Sequence, residues 1–142
     1  SYKRKIWFAK GTAFVMRDTA TLKTEQDLTW LLHTTFQTQT SDASFQIIGD
    51  NALLDVTFIN DCTDDLLSID NVEGFGEVDP AEFQDLDVHR HIEAKFKAKK
   101  SHNILTLLVP SKVDGAKTQV SHKLVGNTLE LTIDGEQVVI EL

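Results

Sequence analysis

The chain has 142 residues and a formal net charge of −8, from 22 acidic and 14 basic side chains. That length suits one domain with a core of its own, and the acidic balance argues against a nucleic-acid binder or a tight ligand for sulfated or uronate polymers, unless a local basic patch overrides the average field. Cys62, the single cysteine, excludes an internal disulfide, and there is no run of 18 apolar residues to cross a membrane as a helix.

Apolar residues recur at spacing two throughout, the period of strands and not of helices. No signal-peptide pattern is present, and strand-like residues begin at Tyr2 in "SYKRKIWF", so the chain reads as a fragment of something longer. "FVM" predicts a buried strand that emerges at Arg17 and Asp18. "LTWLLHTTF" predicts the next, rich in β-branched and aromatic residues. "SFQIIGDNALLDVTFIN" predicts two strands turning at Gly49-Asp50-Asn51, with Leu54, Val56 and Phe58 on one face. Residues 61–87 form an acidic excursion with one short strand near 66–69. In it "DPAEFQDL" suits a single helical turn, capped by Asp79 with Pro80 at its first position. "RHIEAKFKAK" alternates cleanly, with Ile92, Ala94, Phe96 and Ala98 opposite His91, Glu93, Lys95 and Lys97. "NILTLLVP" predicts a buried strand, and the last stretch predicts three strands joined at Gly126-Asn127 and Asp134-Gly135. The sum is an all-β chain: one antiparallel β-sandwich domain over residues 1–142, with ten or so short strands.

Few residues suggest chemistry. Asp18 and His33 could act as an acid–base or metal-ligating pair if their strands are neighbours. The plainer reading makes Asp18 a strand end whose carboxylate accepts backbone N–H groups, and His33 a strand histidine hydrogen-bonded to a neighbouring strand or loop. His89 and His91 share a face at strand spacing and could hold zinc with Glu93 as third ligand, but that face continues as a solvated lysine stripe. His102 and His122 read as surface residues. Trp7 and Trp30 have apolar flanks and read as core residues, not as sugar-stacking platforms. The basic opening "SYKRK" could contact an anionic sugar or another domain, or simply be a solvated strand end. No nucleophile elbow and no Gly-rich phosphate loop is present, and no spacing singles out a triad.

The order of these pieces resembles the later β-sheet portion of the heparinase II/III-like polysaccharide lyases, which include relatives acting on alginate. The resemblance rests on Tyr2 to Arg4, on the apolar strand from Phe14 to Asp18, on Trp30 and His33, and on the strand from Leu105 to Pro110. It departs at Thr19-Ala20, where the family has a basic or bulky apolar pair. The resemblance implies a longer parent with an α/α toroid followed by β-sandwich material, cleaving uronate-containing polysaccharides by β-elimination. It places the catalytic base and acid and any metal ligands upstream of Ser1, so no catalytic, cofactor-binding or metal residue is expected in this chain. The implied partners are the toroid, the preceding β-sheet portion and an acidic polysaccharide. A dimer through an exposed strand edge is a further expectation. Periplasmic or secreted localisation follows from the family alone. The rival expectation is a free-standing carbohydrate-binding or adhesin-like module.

Overall fold

The structure, a computed structural model, describes residues 1–74 and 89–142, so the helical turn expected within 79–86 lies outside the described residues. The described residues form ten antiparallel strands and one short 3-10 segment: β1 Tyr2–Ala9, β2 Ala13–Thr34, β3 Gln37–Thr40, β4 Ser44–Ile48, β5 Ala52–Ile59, the 3-10 turn Asn60–Asp65, β6 Leu66–Glu73, β7 Arg90–Lys112, β8 Val120–Val125, β9 Thr128–Ile133 and β10 Glu136–Glu141. The expected hairpins at 49–51, 126–127 and 134–135 are all present. At the last of these Asp134 and Gly135 take φ of 48° and 86°, the left-handed pair that a two-residue turn demands.

Two elements differ from the sequence reading. "FVM" and residues 28–34 of "LTWLLHTTF" are one strand, β2, and "RHIEAKFKAK" and "NILTLLVP" are one strand, β7. The two pair along nearly their whole length, with register shifts between Thr21 and Gln26 and between Gln26 and Leu28. Trp30 Nε1 lies 3.1 Å from the Asp18 carboxylate, twelve residues earlier on the same strand. An extended strand would hold those residues about 40 Å apart. Hence the β2–β7 ladder creases at the polar stretch "TLKTEQD" and folds its second arm over the first. Asp18 is therefore not a strand exit but a mid-strand residue beside the crease. His102 also sits near the crease, only 5% exposed, with Nε2 3.1 Å from the Gln26 carbonyl, so it is buried and not the surface residue expected.

Three layers result. The middle sheet runs β1-β2-β7-β5-β4-β3, using the first arm of β2 and the second arm of β7. On one face sits the three-stranded sheet β10-β9-β8, and Leu129, Leu131, Ile133 and Ile140 pack on Val15, Leu105, Leu107 and Val109. On the other face lies the folded-over arm, extended by β6, which pairs with β7. There Trp30, Ile92, Ala94 and Phe96 close on Met16, Phe45, Val56, Phe58 and Ile104. Phe58 is the centre of this second core, with edge contacts to Trp30 at 5.4 Å and Phe96 at 5.5 Å between ring centroids. Burying each such side chain gains roughly 1.5–3 kcal/mol, which is what holds the crease shut.

Candidate functional site

The one buried carboxylate of the described residues, Asp18, organises the densest polar cluster. Arg4 faces it directly across the β1–β2 ladder, and Tyr2 is two residues further along the same face. The guanidinium of Arg4 donates from Nε at 2.6 Å and from Nη2 at 2.9 Å, one bond to each carboxylate oxygen. The Tyr2 hydroxyl donates to the first oxygen at 2.6 Å, and Trp30 Nε1 donates to the second at 3.1 Å. Asp18 is 3% exposed, and four donors occupy it. The cluster ties the edge strand to its neighbour and, through Trp30, ties the two arms of β2 together. Tyr2 has its pKa raised above 10.0, first by desolvation of the hydroxyl and then by the hydrogen bond and charge of Asp18. A phenol held in its protonated form and bonded to a carboxylate is poorly placed to take a proton from a substrate.

His33 is paired with His91 across the second arm of the ladder, and their rings meet at 4.5 Å between centroids. What His33 meets across the strands is thus an imidazole, and Asp18 and His33 are not brought together. Glu93, the suggested third zinc ligand, pairs with Lys95 at 3.4 Å. Among the described residues no three His, Cys, Asp or Glu side chains cluster as a metal site requires. Trp30 is a core residue and Trp7 is partly buried against the first core, as expected. Cys62 is buried, with Sγ donating to the Ile59 carbonyl at 3.0 Å, and burial pushes its thiol pKa up, away from nucleophilic chemistry.

Sequence reasoning flagged the basic opening "SYKRK" but missed how β1 divides it from an apolar face. Tyr2, Arg4, Ile6 and Phe8 share one face, and while Tyr2 and Arg4 are engaged by Asp18, the two apolar residues stay uncovered. Ile6 and Phe8 remain 60% and 61% exposed, and Phe8 stacks on Phe14 at 4.5 Å. The odd-numbered side presents Lys3 and Lys5, which with Arg17 and Thr19 of β2 line a depression of about 200 Å³. The alternation of "YKRKIWF" carried both signals, since period-two spacing sends Lys3 and Lys5 to one face and Tyr2, Arg4, Ile6 and Phe8 to the other.

A three-layer all-β fold with a creased central ladder is the class of structure these contacts define. Among solved structures it is similar to the heparan sulfate lyase HepC of Pedobacter heparinus, with a TM-score of 0.72 and 16% sequence identity, over 99% of this chain and 23% of that one. No family model matches the chain, and no curated protein matches it in sequence. The likeness is one of fold, and the chain spans about a quarter of the length of the lyase it matches.

Proposed function

We propose that this chain is a non-catalytic C-terminal β-sandwich domain of a polysaccharide lyase of the heparinase II/III type, whose parent reaction is β-elimination on a uronate-containing polysaccharide. Its task is to pack against the catalytic toroid and preceding sheet of the parent and to stiffen one wall of the substrate cleft. Export to the periplasm or the medium fits a polymer-cleaving parent.

The observation that carries this reading is the open edge of the middle sheet. β1 ends the strand order, pairing only with β2 among the described residues, and it exposes Ile6 and Phe8 beside the stacked Phe14. A contiguous apolar face at an open strand edge is a surface that stays covered in a working protein. The fold accounts for only 23% of the similar lyase's length, and the remaining portion of such a parent is the occupant that face fits. Within the Asp18 cluster the carboxylate and the phenol are bonded to each other, so that pair offers no free base.

The test has two arms. Incubated alone with uronate polysaccharides, the chain yields no unsaturated product, and turnover would overturn the non-catalytic assignment. In sedimentation the isolated chain self-associates through β1, and Ile6→Lys with Phe8→Lys restores the monomer. A monomeric wild-type chain at high concentration would remove the argument for a docking face.

A further inference from the structure

We propose that Lys3, Lys5 and Arg17 form a subsite for sulfate or carboxylate groups of an anionic glycan, on the face of β1 opposite Ile6 and Phe8. The class of anion rests on the lyase reading above, while the site itself rests on its own geometry. Lys5 stands directly across from Arg17, and Lys3 directly across from Thr19, in the β1–β2 register. Like charges in that position repel, since their Cβ atoms lie about 5 Å apart. Among the described residues Arg4, Lys10, Arg90, Lys95 and Lys99 sit in ion pairs, whereas Lys23, Lys97, Lys100, Lys112, Lys117 and Lys123 do not. What sets Lys3, Lys5 and Arg17 apart is that they line one depression together. None of the ion pairs among the described residues includes Lys3, Lys5 or Arg17. In a protein of net charge −8, three cations left unneutralised around one depression is a local inversion of the average field.

The guanidinium of Arg17 is nevertheless held in place. Its Nε donates to Asn103 Oδ1 at 2.8 Å and its Nη1 to Asn127 Oδ1 at 3.4 Å. Both acceptors are neutral amides, so they orient the fork without consuming its charge, leaving Nη2 to meet an oxyanion. Thr19 adds a hydroxyl to the same depression. Lys5 Nζ also lies 5.7 Å from the ring of Trp7, a cation–π contact that positions the ammonium without cancelling its charge. A flexible chain carrying spaced anionic groups fits this arrangement. Single-stranded DNA is a polyanion of comparable charge density, so it is the control that separates a glycan subsite from general polyanion binding.

Binding to immobilised heparan sulfate is measured in a salt series, with inorganic sulfate, alginate and single-stranded DNA as further probes. The wild-type chain binds one or both glycans, and its log affinity falls against log salt with a slope of roughly two, as about three neutralised anionic groups require. Lys5→Glu with Arg17→Glu weakens binding by about tenfold or more. Lys112→Glu with Lys117→Glu, which makes the same change in net charge on another part of the surface, leaves it intact. Lys5→Gln with Arg17→Gln repeats the loss with a gentler change should the reversal disturb folding. Equal binding by both paired variants, or no binding to either glycan, overturns the subsite. DNA bound as tightly as the glycans overturns the choice of ligand. Competition by inorganic sulfate at concentrations where chloride has no effect reduces the site to a simple anion site and also overturns the glycan. If Ile6→Lys and Phe8→Lys change nothing in sedimentation while glycan binding persists, the subsite stands and the docking role falls.

Discussion

Replacing Asp18 by Ala tests whether the buried carboxylate holds the crease. Three losses are expected. Trp30, 5% exposed, keeps an indole N–H with no acceptor, which costs about 1–3 kcal/mol. The Tyr2 bond contributes about 0.5–1.5 kcal/mol, as a typical hydrogen bond does. The Arg4 side chain is 41% exposed and can rehydrate, so its ion pair is discounted to the roughly 0.2–1 kcal/mol of exposed pairs. Together these make a destabilisation of about 2–5 kcal/mol, a large share of the roughly 5–15 kcal/mol by which domains are stable. The assay is urea unfolding followed by far-ultraviolet circular dichroism, which reports the sheets even when a tryptophan is removed. A double-mutant cycle with Trp30→Phe isolates the bond between the two arms, because the packing lost with the indole cancels in the cycle. Coupling of about 1 kcal/mol is expected. An Asp18→Ala cost within the roughly 0.5 kcal/mol of an ordinary surface change, or zero coupling to Trp30, would refute the clamp.

Tyr2 is the chain's one tyrosine, so tyrosinate absorbance reads it without interference. Its midpoint is expected above 10.0 and falls toward that value in Asp18→Asn. Because the folded state binds this proton more tightly than the unfolded one, the associated stability is complete below pH 10.0 and is lost as pH rises through the folded midpoint. An unshifted midpoint in the wild type would contradict the hydrogen bond to Asp18. Thr106 is fully buried in the middle sheet, and its hydroxyl has no hydrogen-bond partner among the described residues. Thr106→Val is therefore expected to stabilise the chain by about 1 kcal/mol, read as a higher melting temperature, and a lower one would mean that the hydroxyl is satisfied.

Much of the fold was legible because period two survives wherever one face of a strand is buried. Ile92, Ala94 and Phe96 alternate with His91, Glu93 and Lys95 in the sequence and in the sheet, and the Asp134-Gly135 turn follows from backbone sterics alone. Ala98 broke the pattern, being exposed where the ladder approaches the crease. The crease itself was not legible. "TLKTEQD" reads as a connection between two strands because it is polar, and a polar stretch is also what a ladder shows where it bends out of both cores. The error about Asp18 followed from that one. A charge after "FVM" looks like a strand end until the second arm of β2 brings Trp30 over it and β1 brings Tyr2 and Arg4 beside it. Those partners belong to tertiary structure, and no local spacing encodes them.

The two faces of β1 make the functional argument stronger than either alone. β1 carries charge on both faces, as edge strands do, but unequally. On one, Arg4 is held by Asp18 while Ile6 and Phe8 stay apolar and uncovered. On the other, Lys3 and Lys5 line a depression and enter no ion pair among the described residues. Each arrangement costs the isolated chain, the first through apolar surface in water and the second through like-charge repulsion, and neither adds to its core. Two costs on opposite faces of one strand are explained together if a protein surface covers one face and an anionic ligand meets the other. Because period two separates them, paired substitutions at Ile6 and Phe8 or at Lys5 and Arg17 can remove one property and leave its counterpart in place.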